Sequence, residues 1–132
     1  MSTRSLIVKQ NQDETYNAIY CHNDGHPYNN GIMLVENYNT PSEVDQLLAL
    51  GDLSSLNTTL DTTVAYHRDM DRDYEAADHI ETFDILKKFG GECWADYIYI
   101  YNKDNEWECY NASMNQITIP KNIVSETEPA LN

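Results

Sequence analysis

Trp94-Ala95-Asp96-Tyr97-Ile98-Tyr99-Ile100-Tyr101 is the stretch on which the fold class turns. Successive side chains of a strand point to opposite faces. Trp94, Asp96, Ile98 and Ile100 therefore fall on one side, and Ala95, Tyr97, Tyr99 and Tyr101 on the other. The alternation predicts a strand with an aliphatic face and a face lined with tyrosine. Asn102-Lys103-Asp104-Asn105 supplies a polar turn, and Trp107 to Tyr110 returns as the partner strand.

A second hairpin is expected near the start of the chain. Ser5 to Gln10 is a short run of β-branched and apolar residues, Asn11 to Glu14 is a polar turn, and Tyr16 to Cys21 alternates again. Thr62 to His67 reads as a further strand, and Gln116 to Ile119 as a short one. Between them lie helical signals. Leu34 and Tyr38 stack four apart within Asn30 to Tyr38. Thr40 is placed to cap a helix from Pro41 to Leu50, with Glu43 closing a capping box and Gly51 at the left-handed exit. Phe83, Leu86 and Phe89 give a last helix, starting near Asp78 or Thr82 and stopped by Gly90-Gly91. The sum is an α+β fold: an antiparallel sheet of about five strands with two or three short helices. One domain is expected over residues 1–132, with its core in 4–119 and a loose tail from 120.

The chain has 132 residues, 8 Lys and Arg against 22 Asp and Glu, and a formal charge of −14. Cations this sparse among anions exclude direct nucleic-acid binding through a basic patch, and equally an anionic membrane surface. With 41% hydrophobic residues and ten tyrosines, the chain is nonetheless not an acidic disordered tail. No apolar run is long enough to span a bilayer, and no apolar segment follows Arg4 and Lys9 to make a secretion signal. Cys21, Cys93 and Cys109 are an odd set without CxxC spacing, expected as reduced thiols in a cytoplasm.

Tyr20-Cys21-His22-Asn23-Asp24-Gly25-His26-Pro27, with Met1-Ser2-Thr3-Arg4-Ser5 before it and Val64-Ala65-Tyr66-His67-Arg68-Asp69 after it, resembles a known group. These are small, largely uncharacterised proteins of bacteriophages, prophages and plasmids that carry a YCHWDGYP-like box. The resemblance covers roughly residues 1–110. Asn23 stands where a Trp is usual, and His26 where a Tyr is usual. The resemblance implies an accessory role inside an infected bacterium, and hence the host cytoplasm. It implies no established activity.

Four readings of the side chains follow. Cys21, His22, Asp24 and His26 are ligand types for zinc, but their spacing matches no common zinc site, so the box is expected to be structural and no metal or cofactor is assigned. Cys21 with His22 and Asp24 could be drawn as a hydrolase centre, although anionic surroundings raise a thiol pKa, and no catalytic residue is assigned. Arg4, Tyr20, His22, Asp24, Tyr28, His67 and Arg68, with Arg72 and Tyr66 nearby in sequence, could line a site for a nucleotide-like small molecule. Finally, Asp69, Asp71, Asp73, Glu75, Asp78, Glu81 and Asp84 could mimic DNA phosphates and dock on a basic surface of a host defence or nucleic-acid-handling protein. Tyr97, Tyr99 and Tyr101 would then add apolar contact, to that target or to a second copy in a homodimer. This last reading leads.

Overall fold

The computed structural model describes residues 2–120. In chain order its strands are β1 (Ser5–Gln10), β2 (Tyr16–Cys21), β3 (Leu53–Ser55), β4 (Val64–Ala65), β5 (Asp78–Ile80), β6 (Tyr97–Tyr101), β7 (Trp107–Asn111) and β8 (Gln116–Ile117). The helices are α1 (Ile32–Asn37), α2 (Pro41–Leu48), α3 (Tyr66–Met70) and α4 (Phe83–Glu92), with one π-helical turn at Pro27–Gly31 leading into α1. The expected tail lies, apart from Pro120, outside the described residues.

Both predicted hairpins form, β1 with β2 and β6 with β7. They are joined side by side through β1 and β6, which run parallel from Ser5 opposite Tyr97 to Lys9 opposite Tyr101. The fold is thus α+β, but the sheet is mixed and eight-stranded, in the order β4-β3-β2-β1-β6-β7-β8, with β5 also on β2. The antiparallel expectation came from hairpins, which are local. A parallel pair needs a long crossover and leaves no local mark.

Each face of this sheet carries a core. On one, α1 and α2 bring Leu34, Val44, Leu47 and Leu48 against Ile7, Ile19, Tyr99 and Tyr101. On the other, Leu86 of α4 meets Leu6, Val8, Ile98 and Ile100. The tyrosine face of β6 is therefore interior. Tyr99 is 0% exposed and Tyr101 1% exposed, and Tyr97 is half-buried beside Tyr99. Buried phenols need a polar partner: Tyr99 donates to the Gly25 carbonyl, and Tyr101 to that of Asn39 at 3.0 Å. The expected docking face of Tyr97, Tyr99 and Tyr101 is corrected accordingly: Tyr99 and Tyr101 are core, and Tyr97 packs half-buried against it.

Local chemistry explains where the helices begin. The Thr40 hydroxyl accepts the Glu43 N–H and donates to the Glu43 carboxylate at 2.9 Å, and Gly51 follows α2 at φ 77°. Thr82 caps α4 by accepting the Ile85 N–H. Gly90 and Gly91 do not stop this helix but lie within it, and the reversal comes at Trp94, left-handed at φ 58° and 76% exposed. Trp94 to Asp96 thus precede the strand. The strand expected over Thr62 to His67 is only β4, because Tyr66 turns into α3, where the Asp69 carboxylate accepts the Ala65 N–H at 2.9 Å. After Asp71, left-handed at φ 54°, the chain becomes an irregular strap, exposed except at half-buried Ala77, that enters β5 at Asp78. No helix of the described residues is long and apolar enough to cross a membrane.

Candidate functional site

The Tyr20 to Pro27 box fastens the start of the chain to the sheet. The Gly25 N–H donates to the Thr3 carbonyl at 2.9 Å, the Ser2 hydroxyl donates to Asn23 Oδ1, and the Asn23 amide donates to the Ser54 carbonyl. A Cβ at Gly25 would stand 2.9 Å from the Thr3 oxygen. His26 Nε2 pairs with the Thr3 hydroxyl at 2.9 Å, and its ring stacks on exposed Tyr28. Asp24 sits exposed in a left-handed turn, where its carbonyl accepts the Asn29 amide. The Cys21 thiol is buried between the Asn23 carbonyl and the Asn30 amide, and burial pushes its pKa up to about 11. His22 instead turns to the Tyr20 hydroxyl at 2.7 Å. Cys21, His22 and Asp24 share no hydrogen bond, so the drawn hydrolase centre is not assembled. Among the described residues no three His, Cys, Asp or Glu side chains converge as a metal site would need.

A cleft of about 440 Å³ opens where the sheet divides. β3 and β5 both pair with β2, β3 at Cys21 and β5 at Tyr16 to Ala18. Between them the Tyr20 N–H is left to the Asp52 carboxylate, which accepts it at 2.9 Å. Tyr20, Leu50, Asp52, Tyr66, His67 and Arg72 line the cleft together with Asp73 and Glu75 of the strap. The strap is held down by the Tyr74 hydroxyl, which donates to the Ala49 carbonyl, and by His67 Nδ1, 2.7 Å from the Arg72 carbonyl. The Arg72 guanidinium lies 4.8 Å over the Tyr66 ring.

The cleft brings together two of the seven predicted ligand residues, Tyr20 and His67, with Tyr66 and Arg72. Arg4 is near enough for its charge to oppose the rise that burial causes in the Tyr20 phenol pKa. The others stand elsewhere. Arg68 turns to Asp69 at 2.9 Å and to the Thr63 carbonyl, while His22, Asp24 and Tyr28 belong to the box. Sequence reasoning missed Asp52 as a site residue. Burial raises its carboxyl pKa, the Tyr20 N–H opposes the rise, and nearby Asp78 and Glu75 add to it. Burial and Glu75 likewise raise Asp78.

All of Asp71, Asp73, Glu75, Asp78, Glu81 and Asp84 are exposed, and none makes an ion pair among the described residues. Asp69 differs, because Arg68 holds it and lowers its pKa. No protein-family model matches the chain, no curated protein is significantly similar in sequence, and no solved structure is significantly similar in fold.

Proposed function

We propose that this protein acts by stoichiometric binding, as a phage or prophage accessory protein in the cytoplasm of its host. Its acidic surface takes the place of DNA on a basic face of a defence or nucleic-acid-handling protein. The observation that supports this reading is the run from Asp71 to Asp84. It holds six exposed carboxylates, none of them in an ion pair among the described residues, on a strap, an edge strand and the start of α4. Carboxylates left unpaired on a folded scaffold are free to meet a basic partner, and such contacts steer association and weaken with salt.

The test is affinity capture from host lysate at low and at high ionic strength, with wild type and with a variant carrying Asn or Gln at those six positions. A basic protein retained at low salt, released at high salt and missed by the variant supports the reading. Capture that ignores both salt and the substitutions sinks it.

A small nucleotide-like ligand in the Tyr20–Tyr66 cleft is the second reading, favoured by the tyrosines and Arg72 lining one concavity. Asp52, Asp73 and Glu75 count against it, since they repel phosphate. A melting temperature unmoved by cyclic nucleotides and ADP-ribose derivatives excludes it.

A further inference from the structure

We infer that the Tyr20–Tyr66 cleft is a socket for a guanidinium group, through which one arginine of the basic partner is anchored. This rests on the acidic-surface reading and adds the residue chemistry that it reads. The cleft has the ingredients of a cation site rather than an anion site. Three carboxylates, Asp52, Asp73 and Glu75, line it beside two tyrosines, with Arg72 and His67 as the basic side chains.

Arg72 shows what the socket accepts. Its guanidinium already lies over Tyr66, the stacked geometry that an aromatic face offers a planar cation. It makes no ion pair among the described residues, so it is held there by the ring and not by a carboxylate. An incoming arginine would displace Arg72 from the ring, stack there in its place and take the carboxylates that Arg72 leaves unused. Asp52 Oδ1 is engaged by the Tyr20 N–H, while Oδ2 takes no hydrogen bond from the described residues. A guanidinium with its planar fork of donors suits such carboxylates better than the point charge of lysine does. The Asp69 carboxylate offers no such vacancy, since it already accepts from Arg68 and from the Ala65 N–H.

The experiment compares binding of nona-arginine and nona-lysine, equal in charge, at one fixed salt concentration. Wild type prefers nona-arginine. Tyr66→Leu reduces nona-arginine affinity by about two- to fivefold and leaves nona-lysine unchanged, whereas Tyr66→Phe, which keeps the ring, behaves as wild type. Arg72→Ala strengthens nona-arginine more than Lys88→Ala does, since the two remove the same charge but only Arg72 occupies the socket. A melting curve checks that each variant is folded. An arginine preference that survives Tyr66→Leu, or equal gains from Arg72→Ala and Lys88→Ala, overturns the socket and leaves the acidic surface standing. Failure of both peptides to bind overturns the acidic-surface reading itself.

Discussion

Asp52 Oδ1 accepts the backbone N–H of Tyr20 at 2.9 Å, at the point where β3 and β5 part along the edge of β2. An unpaired N–H at a half-buried sheet edge is costly, and a carboxylate satisfies it well. The charge is a liability all the same, because burial and the neighbouring Asp78 and Glu75 raise the Asp52 pKa.

Asp52→Asn keeps an acceptor for the Tyr20 N–H and removes the charge. With its pKa raised on folding, the native state holds an extra proton between the unfolded and folded values, so this group's contribution to stability falls as pH rises through that window. The variant should therefore melt a few degrees higher than wild type at pH 7. The gap should close as pH is lowered through the raised carboxyl pKa. Melting temperatures of both proteins across pH 4 to 8 check this, and a variant that melts lower at pH 7, by a margin indifferent to pH, contradicts it. The difference between the proteins is the quantity to follow, since Glu14 and Asp69, lowered by Lys103 and Arg68, act on wild type and variant alike in the opposite sense.

Much of this arrangement was legible in local chemistry. Thr40 and Glu43 announced the start of α2, Gly51 its exit, and the alternation in Tyr16 to Cys21 and Tyr97 to Tyr101 marked the central strands. Alternation distinguishes two faces of a strand but does not say which is covered. Here α1 and α2, far back in the sequence, cover the tyrosine face, while α4, four residues before β6, covers the aliphatic one. The parallel join of β1 to β6 has no local signature, and β3 and β5, three residues each, are too short to show a period. At the site, Tyr20, Tyr66, His67 and Arg72 were recognisable by chemical type. Arg68 and Arg72 are equivalent on paper, and only the turn of α3 sends one to Asp69 and the other over Tyr66.

Gly90 and Gly91 are neighbours with opposite requirements. A Cβ on Gly90 would stand 2.7 Å from Ile98 Cδ1, whereas one on Gly91 meets nothing within 4 Å. Gly90→Ala should overpack the core beneath α4 and cost about 1–3 kcal/mol. Gly91→Ala should be neutral or stabilising, by up to about 1 kcal/mol, through helix propensity. Urea unfolding of the two variants separates them, and similar midpoints would show that Ile98 can move aside.

The three thiols should differ in reactivity. Burial pushes Cys21 up to about 11 and Cys109 up to about 12, and both are enclosed. Cys93 is half-exposed, though burial and then Asp52 and Asp78 raise its pKa too. A thiol-reactive disulfide reagent at pH 8 should modify Cys93 first and slowly, with Cys21 and Cys109 following only on unfolding. Rapid labelling of all three in the native protein contradicts this burial.

Gly51 sets the distance between the strap and the sheet. It is left-handed at φ 77°, and a Cβ there would lie 2.5 Å from the Glu75 carbonyl oxygen. Gly51→Ala meets both a disfavoured backbone and a collision with main chain, so a loss above about 1 kcal/mol is expected. The collision should also lift the strap and displace Glu75 from the cleft wall. Gly51→Asn separates the two causes. Asn tolerates the left-handed region but still carries a Cβ, so it should relieve the strain without restoring the strap. Amide exchange reads this locally, with faster exchange in residues 71–77 in both variants and little change in β1 and β6. If Gly51→Asn protects the strap as wild type does, the close approach to Glu75 does not govern its position. In that case only the left-handed backbone requires glycine there.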